Sequence, residues 1–155
     1  MKKKIISCVL IILSVLWIIF IFSNSLENAE ESGEKSSWVY NIVSKVFPNI
    51  TVFIIRKLAH FTEFAILGVL FASTYFSFTL PRCFETPKTN LYSLLAIPAV
   101  FAIACTDESL QRFSEGRHAA FSDVLIDSAG GVCGIAAILA LVFIIRYFYT
   151  KKENH

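Results

Sequence analysis

Four apolar runs leave few folds open to this chain. The first, "IISCVLIILSVLWIIFIF", extends from Ile5 to Phe22. As a helix its 18 residues rise about 27 Å, close to the thickness of a bilayer's hydrocarbon core. The second runs from Thr51 to Phe78, the third from Leu91 to Phe113 and the fourth from Val124 to Tyr147. The strongly apolar part of the third stops at Cys105; continuing through "TDESLQRF" brings it to spanning length, with a kink expected at Pro98. Only 17% of the residues are charged, against about 25% in soluble domains, and 55% are hydrophobic. The expected fold is all-α: an integral membrane four-helix bundle, one domain over residues 1–155, with no room for a separate soluble domain.

Lys2, Lys3 and Lys4 before the first run also suit a signal peptide. The run is long and uniformly apolar, and the following "SNSLENAEE" is a weak cleavage site, so a retained anchor is expected. Cys8, Cys83, Cys105 and Cys133 form no CxxC pair and read as small apolar helix fillers. Too little apolar chain precedes Cys8 for it to accept a lipid.

The bias of Lys and Arg sets orientation. With four spans and the N-terminus inside, Lys2, Lys3, Lys4, Arg82, Lys88, Arg146, Lys151 and Lys152 fall on the inner side, with only Glu85 and Glu153. The remaining 6 basic and 10 acidic residues fall outside, giving +6 and −4, which sum to the net +2. Both termini are therefore expected in the cytoplasm. Of the first outer segment, "SNSLENAEESGEKSS" reads as a solvated acidic loop. "SWVYNIVSKVF" spaces Trp38, Ile42 and Val46 by fours, which predicts a short extracytoplasmic amphipathic helix ending before Pro48. It lies on the membrane or packs over the bundle.

That orientation gathers polar groups from three segments at one membrane face. Arg56, His60 and Glu63 fall at i, i+4 and i+7, on one side of a helix. Asp107 and Glu108 lie four and three residues before Gln111, and Asp123 four before Asp127. Ionisable residues inside apolar spans are costly and face the bundle interior or a wet cavity. The expected polar pocket comprises Arg56, His60, Glu63, Asp107, Glu108, Gln111, Arg117, Asp123 and Asp127, with His60, Glu63 and Asp127 deepest. The bland alternative is an ionic clamp at the helix ends, with Lys57 and Arg112 reaching for headgroups. Gly130 and Gly134 form G-x-x-x-G, a close helix contact.

"RKLAHFTEF", "DESLQRFSEGR" and "DVLIDSAGG", in that order, with the weaker "WIIFIFSNS" before them, resemble the VanZ-like family. The likeness covers about Trp17 to Leu141. It implies a bacterial cell-envelope protein of the cytoplasmic membrane. Founding members accompany glycopeptide-resistance clusters and confer low-level resistance to teicoplanin without altering the peptidoglycan precursor. Some relatives carry a phosphotransbutyrylase label, but nothing here resembles an acyl-CoA or nucleotide site.

Three functions fit these residues. In the first, Arg56, Arg112 and Arg117 hold the phosphate or carboxylate of an envelope lipid or glycopeptide. In the second, an enzyme uses His60 and Glu63 as acid and base. The alternative within it is a divalent metal on His60, Glu63, Asp107, Glu108, Asp123 and Asp127, but one His among scattered carboxylates is a weak metal signal, so neither metal nor cofactor is assigned. In the third, the polar groups only tie the bundle together. The expected partners are membrane lipids and an anionic envelope lipid or glycopeptide, and no nucleic acid. On the expected topology, single cysteines introduced near Lys88 and Lys151 in a cysteine-free background stay unlabelled by an impermeant reagent on intact cells. Labelling of either position from outside would overturn it.

Overall fold

The first helix is apolar all round, so no stripe of leucines marks a buried side. Instead it buries Ser7, Ser14, Ile21 and Ser25, while Ile5, Ile12, Leu16 and Ile19 remain more than 50% exposed. Small polar residues inward and large apolar ones outward is the pattern of a helix whose solvent is lipid. The computed structural model describes residues 2–79, 92–117 and 119–153. Those residues are helical with short connections and contain no strand. The helices are α1 (Lys2–Ser25), α2 (Ala29–Val43), α3 (Val52–Thr79), α4 (Ala96–Gln111) and α5 (Phe121–Glu153), with a 3₁₀ turn, Tyr92–Leu95, before α4. The stretches Lys4–Ser25, Val52–Thr79, Ser93–Gln111 and Phe121–Lys151 are each long and apolar enough to cross a membrane.

Three local expectations are corrected. The acidic stretch after α1 is helical, not a loop. Asn28 caps α2 by accepting from the Glu31 amide at 2.9 Å, and Glu30 and Glu31 complement the positive helix end. α2 stops at Val43, so Val46 lies in the following turn; nothing in α2 is buried, and Trp38 is 68% exposed. Pro98 falls in the first turn of the regular helix, which begins at Ala96 after the 3₁₀ turn. Amide donors there have no partner within the helix, so a missing one costs little. That helix ends at Gln111, leaving Phe113 in the turn beyond. Leu91 and the connection holding Arg82, Cys83, Glu85 and Lys88 lie outside the described residues.

The core lies between the spans. Phe64 and Leu67 of α3, Val100 and Ala104 of α4, Val124 and Ile135 of α5 and Ile21 of α1 form one buried cluster. The most extensive pairing joins α3 to α5, and glycines make it possible. A methyl group added at Gly130 would strike the Phe61 carbonyl, at Gly134 the Ala65 carbonyl and at Gly68 the backbone of Gly131. Phe61 with Gly130 and Ala65 with Gly134 advance together, so the two helices run parallel.

Gly134→Leu should therefore force α3 and α5 apart. Overpacking of this kind costs about 1–3 kcal/mol, and backbone has less room to yield than side chain. The melting temperature in detergent and the folded amount in membranes should both fall. Ala136→Leu, on the exposed side of the same helix, should leave both unchanged. Equal stability of the two variants would count against the close contact.

Candidate functional site

The C-terminal end of α1 and the loop between α4 and α5 are built together. The last carbonyls of a helix have no partner within it. Here Ser114 Oγ donates to the Ser25 carbonyl at 2.8 Å and Arg117 Nη1 to the Asn24 carbonyl at 2.9 Å. The Ala29 amide donates back to the Glu115 carbonyl at 3.0 Å. Gly116 makes the loop's reversal with φ of +74°, a region that favours glycine. The loop thus fixes α1 against the ends of α4 and α5, and carries Arg117 with it.

At this end of the bundle Trp17 and Asn24 of α1 reach α3. Trp17 Nε1 donates to the Glu63 carbonyl and Asn24 Nδ2 to Glu63 Oε1, each at 2.9 Å. Arg56, His60 and Glu63 all line a groove of about 530 Å³ between α1, α2 and α3. Its walls are largely apolar, including Trp17, Phe20, Val39, Val43, Ile55 and Ile66. Arg117 lines it too, and Lys35 and Glu27 form an ion pair on its rim. Burial, with Arg56 nearby, pulls the Arg117 guanidinium below its usual pKa range, against the opposing pull of Asp107, Glu108 and Glu27.

Asp107, Gln111 and Asp127 do not line the groove. They are buried beside it, and both aspartates are completely inaccessible. Asp107 accepts from Ser25 Oγ at 2.5 Å and from Gln111 Nε2 at 3.2 Å. Asp127 Oδ1 lies 3.5 Å from His60 Nδ1, an ion-pair distance without the geometry of a hydrogen bond. Neither Asp127 oxygen accepts a hydrogen bond from any described residue. His60, Asp107 and Asp127 each place one potential ligand atom within 4.8 Å of the other two, and are the trio among the described residues that could hold a metal.

Two of the expected pocket residues point elsewhere. Glu108 follows Asp107 directly, so about 100° of helix rotation separates them and they cannot share a face. Glu108 accepts from the Ala120 amide at 2.5 Å, in a shallow hollow with Arg112 and Phe121. Asp123 pairs with Lys57 one turn from Asp127, so Lys57 is an internal partner and not a headgroup anchor. The nine residues expected in one pocket therefore divide. Arg56, His60, Glu63 and Arg117 line the groove, Asp107, Gln111 and Asp127 lie behind it, and Glu108 and Asp123 stand apart.

Trp17, Asn24 and Ser25 were not expected at the site. The signal for them was "WIIFIFSNS", whose Trp and final polar residues interrupt an otherwise apolar span. Read alone, those residues look like an interfacial end, because nothing local shows that Ser25 meets Asp107 across 82 residues of chain. No curated protein and no solved structure matches the chain. A family model described as VanZ/LLP1 matches residues 10–145, and by that match, which takes in every helix of the site, the chain is a multi-pass membrane protein of the VanZ family.

Proposed function

We propose that this protein binds an anionic amphiphile, an envelope lipid or a glycopeptide, at the outer face of the bacterial cytoplasmic membrane, and that it thereby contributes to teicoplanin-type resistance. Both termini lie in the cytoplasm on this reading, so the groove opens outward. The observation that carries it is the groove itself, in which an apolar wall is joined to two guanidinium groups, Arg56 and Arg117. Arg56 Nε is buried without a hydrogen-bond partner among the described residues. A buried donor left unpaired costs roughly 1–3 kcal/mol, which an incoming phosphate or carboxylate oxygen would recover. The apolar wall suits the acyl chain of the same molecule.

A second reading, a membrane enzyme acting on an envelope lipid, is favoured by one observation. His60 and Glu63 stand on the same groove as the arginines, within reach of a headgroup held there. Turnover of a purified envelope lipid that disappears in His60→Ala would establish it.

Arg117→Gln tests the binding reading. Gln keeps a donor for the Asn24 carbonyl and removes the charge. The variant should remain abundant in the membrane, lose any teicoplanin resistance, and bind anionic-lipid vesicles at least about tenfold more weakly than the parent. Full activity would remove Arg117 from the site. Loss of the protein from the membrane would favour a purely structural role for the polar residues.

A further inference from the structure

The geometry points to a divalent transition-metal site formed by His60 of α3, Asp107 of α4 and Asp127 of α5, behind the groove. This does not depend on what the groove binds. Three helices bring three potential ligand atoms within 4.8 Å of one another. Ligand atoms about 2.1 Å from a tetrahedral zinc stand about 3.4 Å apart, so side-chain rotations that draw the three atoms inward would close the triangle.

The environment is what a cation would need. Asp107 and Asp127 are wholly buried, and His60 Nδ1 makes the one ion-pair contact to either among the described residues. Among the described residues no Lys or Arg forms an ion pair with either. Lys57 is paired with Asp123, and Arg117 donates to the carbonyls of Asn24 and Ser25. His60 Nδ1 and both Asp127 oxygens are buried without hydrogen bonds to described residues. These three lone atoms belong to two side chains that face each other. Asp107 by contrast is oriented, with Ser25 on one oxygen and Gln111 on the other. Outer hydrogen bonds of this kind orient a carboxylate that binds metal.

One imidazole and two carboxylates suit borderline ions such as Zn²⁺ or Mn²⁺, and leave at least one coordination position open. His60 is the member of the trio that lines the groove, so an ion held here would sit at the groove's inner wall. Asp123 and Glu108 are excluded from the ligand set by their own partners, Lys57 and the Ala120 amide.

The test uses the full chain, purified in detergent, stripped with a chelator and desalted, then equilibrated with Zn²⁺ alone. Bound zinc is counted by mass spectrometry. One zinc per chain is expected, with a rise in melting temperature. His60→Gln and Asp127→Asn should lose the bound zinc, and Ser25→Ala should weaken it about 10-fold to 100-fold by freeing Asp107. X-ray absorption of the zinc-loaded parent needs no variant to fold: a shell of nitrogen and oxygen with one imidazole is expected. An unaltered chain that retains no zinc would overturn the site and leave the trio as a proton-sharing cluster. Equal zinc in His60→Gln, or a shell with sulfur or several imidazoles, would overturn it as well.

Discussion

The contact between the glycines of α5 and the backbone of α3 sets the distances on which the site depends. Gly130 meets the Phe61 carbonyl, one residue from His60 and three from Asp127. Beside that contact His60 Nδ1 and Asp127 Oδ1 come within 3.5 Å. In a wider pairing, His60 and Asp127 would each reach into an apolar interior alone. Lys57 and Asp123 repeat the same register one turn nearer the helix ends, and there the pair closes as a salt bridge. Parallel packing makes both meetings follow from one offset between the chains. The G-x-x-x-G spacing is therefore a positioning device for charged groups as well as a packing motif.

Lipid as the solvent explains why the polar groups are inside. A soluble bundle turns its leucines inward and its charges to water. Here large apolar side chains of α1 and α5 face out, while Ser7, Ser14, Ser25, Asp107, Gln111 and Asp127 are buried. Lipid offers polar atoms no hydrogen bonds, so they must find partners in the protein. Many do: Ser14 donates to the Leu10 carbonyl, Ser77 to Ser7, and Thr106 to the Ala102 carbonyl. Against that background the buried atoms without a hydrogen bond among the described residues stand out; they belong to Arg56, His60, Glu108, Asp127 and Ser128, of which Arg56, His60 and Asp127 lie at or beside the groove.

Long-range periodicity was legible in the sequence, and local competition was not. Four runs of spanning length have one economical arrangement, and the i, i+4, i+7 stripe of Arg56, His60 and Glu63 follows from helix geometry alone. The acidic segment after α1 was misread because its composition suits a solvated loop, yet Asn28 ahead of two glutamates is a helix start. The apolar run does not mark where the helix around Pro98 begins, and the structure sets that start at Ala96. Grouping Glu108 with Asp107 overlooked the rotation between neighbours on a helix. Ser25 escaped notice for another reason: its partner is 82 residues away, and a serine near the end of a span carries no sign of it.

The way the cations are spent bears on whether these charges merely clamp the helix ends. A clamp would set its arginines and lysines against its most deeply buried carboxylates, because those are the most costly to leave unpaired. The arrangement is the reverse. Lys57 is used on Asp123, which is partly exposed, and Arg117 on backbone carbonyls at the end of α1. Arg56 lines the groove, with its Nε unpaired. The two inaccessible aspartates are left with an imidazole, a hydroxyl and an amide, which are weaker or neutral partners. Placing strong cations at the periphery and carboxyl groups in the interior leaves those carboxyls without the partners a purely structural clamp would give them. It also leaves two buried carboxyl groups behind a groove edged by two guanidinium groups.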